Sequence, residues 1–176
     1  MPNSILMIIA PVNFRDEEFF EPKAVFEQSG MNVTVASKGV QKAKGKLGGE
    51  ADINKDITAV NIDEYTAIVF AGGPGAEEYF EDSTVLNLAK EAYEKGKVVA
   101  AICIAPSILA NAGILSEKKA TCFSSEASSI EAQGAKYTGA DVEVDGKIIT
   151  ANGPKAATKF AEKIVKAVKE IIKEGQ

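Results

Sequence analysis

Histidine is absent from the 176 residues, and only two are cysteine. Zinc sites built from four cysteines, or from cysteine with histidine, therefore cannot be assembled. The side chain that most often serves as general base near neutral pH is also missing from any mechanism. The N-terminal run Ile5-Leu6-Met7-Ile8-Ile9-Ala10 is too short to cross a bilayer, lacks a basic flank, and gives way to Pro11 and a polar stretch rather than to a cleavage site. A cytoplasmic protein without membrane attachment is the expectation. Basic residues are not in excess either: 20 Lys and Arg stand against 25 Asp and Glu, a formal charge of −5, so no footprint for nucleic acid is visible. The one lysine cluster, Lys38 to Lys46, reads as a solvated hairpin tip.

What the chain does have is apolar strand-like runs that end in small residues. At 45% hydrophobic, its length fits one domain, residues 1–176, around a single large core. Ser4 to Ala10, Tyr65 to Phe70 and Lys97 to Ile102 are short and apolar without alternation, as in parallel strands covered on both faces. Asn32 to Ala36 alternates and reads as a further strand. Asn13 to Glu18 reads as a polar loop before a helix from about Glu17 to Ser29, with Pro22 implying a late start or a kink. Other helices are expected from a Ser83 N-cap to Lys95, over Ser107 to Gly113, from about Glu126 to Gln133 after Ser124 and Ser125, and from Asn152-Gly153-Pro154 to the end. Lys119 to Phe123 reads as a short strand. Val142 to Ile149 reads as a hairpin turning on Asp145-Gly146. Strands and helices in this order make an α/β sandwich around a mainly parallel sheet.

Right-handed crossovers bring the loops after the strands to one edge of such a sheet. Asn13 to Glu18, the turn Gly72-Gly73-Pro74-Gly75 and the turn at Cys103 therefore converge. The glycine turn lacks the lysine and hydroxyl of a P-loop and has the wrong glycine spacing for a dinucleotide fingerprint. Cys103 sits where a strand hands over to a helix, a position that exposes a thiol to helix N–H groups and favours thiolate. A buried structural cysteine is the competing reading of that residue alone. A solvent-facing first-turn glutamate is the competing reading of Glu18.

Four pieces in order, FRDEEFFEP, VFAGGPG, VVAAICIAP with LANAGIL, and a hairpin followed by TANGP, resemble the DJ-1/PfpI superfamily over nearly the whole chain. The resemblance implies a flavodoxin-like three-layer α/β/α sandwich with a nucleophile elbow at Cys103. It also implies a carboxyl partner at Glu18, marked by Pro22 four residues on, and oxyanion-binding N–H groups at Gly73 and Ile104, with Gly72 and Phe123 in the pocket. Ile104 and Phe123 occupy the positions where branches of the family carry histidine, so the family's Cys-His pair cannot form here, even across a homodimer. Asp16 and Glu17 are fallback carboxylates. If Glu18 is shielded from water, burial and a neighbouring thiolate hold its proton on, and that donor favours thiolate while the apolar wall of Ile104 and Phe123 opposes it.

Three functions follow from the resemblance. One is a cysteine-dependent enzyme of glyoxalase or hydratase type acting on small reactive carbonyls, with Glu18 moving the proton. Another is a redox-responsive protein whose Cys103 is oxidised to sulfinate, and the third is a binding module without chemistry. Peptidase activity is disfavoured, since only Glu18 could protonate a leaving amine. A homodimer is implied, a small carbonyl or an oxidant is the partner, and neither metal nor cofactor is called for.

Overall fold

The computed structural model describes residues 1–175. In chain order it runs β1 (Ser4–Ile8), β2 (Val12–Phe14), α1 (Asp16–Gln28), β3 (Asn32–Ser37), β4 (Lys42–Gly45), β5 (Glu50–Asp52) and β6 (Lys55–Asp56). There follow β7 (Ala67–Phe70), α2 (Ser83–Glu94), β8 (Val98–Ile102), α3 (Pro106–Asn111), β9 (Lys119–Ala120) and α4 (Ala127–Ala132). The chain closes with β10 (Lys136–Tyr137), β11 (Val142–Asp145), β12 (Ile148–Ala151) and α5 (Ala157–Glu174).

The main sheet has the order β11-β12-β8-β7-β1-β3-β6, parallel throughout except at the β11–β12 hairpin. Because side chains alternate across a strand, each strand feeds two cores. Ile5, Met7 and Ile9 face one side with Phe19 and Phe26 of α1 and Phe160, Ile164 and Val168 of α5. Leu6, Ile8, Phe70 and Val99 face the other side with Val85, Leu88 and Ala92 of α2, Ile108 and Leu109 of α3 and Ile130 of α4. This is the three-layer α/β/α sandwich of flavodoxin-like type. No helix among the described residues is long and apolar enough to cross a membrane.

The departures from the sequence reading lie mostly at element boundaries. Residues 12–14, read as a break and a loop, form β2, which pairs with β4 in a small sheet completed by β5. The lysine cluster therefore contains an ordered strand rather than only a solvated tip. Helix α1 begins at Asp16 and continues through Pro22. The proline ring removes the N–H that would reach the Glu18 carbonyl, but burial of Phe19, Pro22 and Phe26 keeps the helix whole. Asp82, not Ser83, caps α2, its Oδ1 accepting from the Val85 N–H at 3.2 Å. The strand expected over Lys119 to Phe123 ends at Ala120, because its partner β10 offers only two residues of ladder. Ser124–Glu126 is a single 3₁₀ turn before α4.

Burial of α5 against the sheet gives a direct check on this architecture. Phe160 is fully buried, and Phe160→Ala is expected to lower unfolding free energy by about 3–5 kcal/mol in urea titrations. Lys166→Ala on the exposed face of the same helix is expected to change it by less than about 0.5 kcal/mol.

Candidate active site

β7 and β8 lie side by side with Phe70 opposite Ala101, so the residues just beyond their ends, Gly72 and Cys103, become neighbours. Cys103 adopts φ 65°, left-handed for a residue with a side chain. Such a conformation is costly and persists only where its surroundings hold it. Here the Cys103 N–H donates to the Ala151 carbonyl at 2.9 Å, and the Cys103 carbonyl accepts from the Phe123 N–H at 2.7 Å. The peptide is pinned on both sides, and the sulfur turns into a cleft of about 260 Å³. Arg15, Glu18, Lys46, Gly73, Ile104 and Phe123 are among the residues that line it.

Glu18 reaches this place from the first turn of α1. Two contacts set the approach: the Arg15 N–H donates to the Gly72 carbonyl at 2.9 Å, and the Gly72 N–H donates to Glu18 Oε1 at 3.0 Å. Gly72 cannot carry a side chain, since a Cβ there would lie 2.6 Å from the Cys103 Cβ. Gly73 holds φ 95°, where a side chain would be strained as well as crowded.

The Glu18 side chain is completely buried, and Oε2 has no hydrogen-bond partner among the described residues. Burial pushes its pKa up to about 7, opposed in turn by the Cys103 thiol, the Gly72 N–H and the Arg15 charge. Cys103 is pushed up to about 12, first by burial and then by the charge of Glu18, while the N–H groups of Gly73 and Ile104 pull the other way. Of the opposing influences expected on the sulfur, burial is the larger and the N–H groups of the turn the smaller. α3 is only six residues long and starts at Pro106, beyond the turn that carries the sulfur, so its dipole is small. Burial is the first cause at both groups and raises both, so each resists ionisation more than its solvated counterpart would.

The fallback carboxylates are engaged elsewhere. Glu17 forms a two-point bridge with Arg15, at 3.0 Å to Nε and 2.9 Å to Nη2, which holds its pKa below the usual range. Asp16 accepts from the Leu47 and Gly49 N–H groups, each at 2.8 Å. Phe123 lines the cleft but is 46% exposed, an outer wall rather than a core side chain. Cys122 lies fully buried, and both cysteines are free. Arg15 lines the cleft from the loop expected to converge there, whereas Lys46, Ser125 and Pro154 also line it and the sequence reading assigned them no part in it. The only linear signal of these three was a lysine cluster and two turns, and nothing local ties these to Cys103. No group of three or more His, Cys, Asp or Glu side chains able to hold a metal occurs among the described residues.

A family model described as the DJ-1/PfpI family matches residues 3–167. An uncharacterised protein of Methanocaldococcus jannaschii is 45% identical over 94% of this chain and 82% of its own length. A deglycase of Thermococcus kodakarensis is 31% identical over 85% of this chain and 90% of its own. A glutathione-independent glyoxalase of Caenorhabditis elegans is 27% identical over 94% and 88%. Among solved structures, the ThiJ/PfpI domain protein of Brachyspira murdochii superposes with a TM-score of 0.94 at 37% identity, covering 96% of this chain and 98% of that one.

The Glu18 carboxyl makes a sign-defined prediction. Its folded pKa of about 7 lies above the ordinary 4.5, so between these values the folded state binds more protons than the unfolded one. Stability is then full at the acid end of that window and falls as pH rises through it, by an amount on the order of 3 kcal/mol. Below about pH 4.5 the lowered carboxyls of Glu17, Asp56, Asp63 and Asp82 act in the opposite sense. Urea titrations from pH 5 to 8 should show the decline in the wild type and a flatter profile in Glu18→Gln.

Proposed function

Since the chain belongs to the DJ-1/PfpI family, we propose that it converts small 2-oxoaldehydes to 2-hydroxy acids, with Cys103 as nucleophile and Glu18 as the proton carrier. The observation that carries this reading is a half-buried sulfur beside a fully buried carboxyl whose pKa lies near 7. A base with that pKa is well matched to neutral pH. Relatives named deglycase and glutathione-independent glyoxalase support the carbonyl substrate class.

In this proposal ionised Glu18 takes the thiol proton as the sulfur bonds to the aldehyde carbon. The carbonyl electron pair moves to oxygen, which the Gly73 and Ile104 N–H groups hold. Glu18 returns the proton to that oxygen, giving a thiohemiacetal. The carboxylate next removes the hydrogen from the same carbon, an enediol forms with the adjacent ketone, and protonation at the second carbon leaves a thioester of a 2-hydroxy acid. Water then breaks the carbon–sulfur bond and the thiol regains its proton. The first carbon is oxidised and the second reduced by the same two electrons, so water is the only co-reactant.

Sulfinate formation is the weaker reading. Peroxide reacts with thiolate, and burial together with the Glu18 charge raises the pKa of the Cys103 thiol. The carbonyl reaction avoids this obstacle because the base deprotonates sulfur during attack.

Methylglyoxal consumption followed with appearance of lactate tests the proposal. Cys103→Ser and Glu18→Gln should each lower kcat/KM by at least about a hundredfold. The wild-type kcat/KM should rise with pH through about 7, a transition that belongs to the coupled Cys-Glu pair. Undiminished turnover in either variant contradicts the assignment.

A further inference from the structure

Two cations line the cleft, and they differ in how their charge is spent. Arg15 is bound to Glu17 through Nε and Nη2, which leaves Nη1 without a protein partner among the described residues. Lys46 is exposed, and its ammonium group has no acidic partner within 4.0 Å among the described residues. Among the described residues only lysines 23, 38, 42, 55, 95 and 136 of the 19 have one, so what sets Lys46 apart is not the missing partner but its place on the cleft wall.

Lys46 is not carried on a loose loop. Its N–H donates to the Phe14 carbonyl at 2.9 Å, and the turn around it is closed by the Gly45 N–H on the Gly49 carbonyl at 2.7 Å. Asp16, the first residue of α1, grips the same turn through the Leu47 and Gly49 N–H groups. The helix that delivers Glu18 to the sulfur is thus clamped to the turn that delivers Lys46 to the cleft. Both oxygens of Asp16 are occupied by that clamp, Glu17 is occupied by Arg15, and the Glu18 carboxyl is buried. No acidic side chain lines the cleft apart from Glu18. On a chain whose formal charge is −5, general electrostatics repels anions, so an uncompensated Lys46 ammonium on the cleft wall is a local feature that favours them.

We infer that the cleft selects carbonyl compounds that carry a carboxylate, held by the Lys46 ammonium with Arg15 Nη1 as second donor, while the carbonyl carbon faces Cys103. This rests on the carbonyl-converting reading above and narrows its substrate class. A carboxylate is small enough to share about 260 Å³ with the reacting carbon, and pairing it with an exposed ammonium exchanges one set of solvating partners for another at little cost.

Iodoacetate and iodoacetamide test the selection without requiring turnover, since they are alike in size and differ by one negative charge. The quantity to measure is the ratio of their alkylation rates at Cys103, resolved from Cys122 by peptide mapping and normalised to the same ratio for glutathione. Any change in the ionisation of the sulfur cancels in this ratio. Wild type is expected to favour iodoacetate roughly three- to tenfold, less so as salt is raised. Lys46→Gln should bring the ratio down to that of free thiol and Lys46→Arg should restore it. A wild-type ratio equal to that of glutathione, or one untouched by Lys46→Gln, overturns the inference. If methylglyoxal and carboxylated oxoaldehydes are both inert while the ratio holds, the carbonyl-converting reading fails and the anion selectivity stands.

Discussion

Burial of the Glu18 carboxyl between the Gly72 N–H and the Cys103 sulfur is the constraint on which the rest of this site depends. A carboxyl removed from water resists ionisation, and one hydrogen bond at 3.0 Å offsets only part of that cost. The surrounding backbone is shaped to permit the contact. Gly72 has no side chain because the sulfur-bearing residue and the carboxylate both press against it. Cys103 stands in a left-handed conformation held by Ala151 on one side and Phe123 on the other. α1 starts where the Arg15 N–H meets the Gly72 carbonyl. The ends of β7, β8 and β12 and the start of α1 are thereby fixed relative to one another by polar contacts as well as by the apolar core beneath them.

That constraint also supplies what the composition withholds. With no histidine in the chain, a base that titrates near neutrality must come from a group whose ordinary pKa lies elsewhere. Burial moves the Glu18 carboxyl in that direction. Moving the thiol down does not occur here, because the same burial acts on sulfur in the opposite functional sense and the short α3 offers little compensation. The site therefore pairs a carboxyl raised toward neutrality with a thiol raised by the same burial.

The three acidic residues that open α1 illustrate how a uniform run of sequence is divided by tertiary contacts. Asp16 ties the helix to the turn of residues 45–49, Glu17 neutralises Arg15 in part, and Glu18 enters the core. Any helix start favours acids through its dipole, which is why these three look alike in the linear sequence. Their separate tasks follow from which side of the helix faces the glycine turn, the solvent and the β4–β5 hairpin.

Much of the architecture was legible in the chain itself. The apolar runs at Ser4, Tyr65 and Lys97 and the Asp-Gly hairpin each carry a local signal, as do the three- and four-residue spacing of α5 and the glycines that end helices, so their place in a parallel sandwich follows from strand and helix chemistry. Cys103, Glu18, Gly73 and Ile104 could be singled out as a set from four ordered pieces of sequence, with the polarity of the sheet explaining why they meet. The three-residue strand β2, the end of β9 at Ala120 and the passage of α1 through Pro22 could not be read, since pairing partners and packing far along the chain decide them. Nor could the direction of the Cys103 shift or the presence of Lys46 in the cleft. Ionisation depends on how completely a group is removed from water and what faces it, and charge placement depends on contacts between segments some 30 residues apart. Residue order determined the layers and the loops that meet at their edge, while only the folded chain decided which groups there are removed from water and which charge lines the cleft unpaired, because both depend on contacts between distant segments.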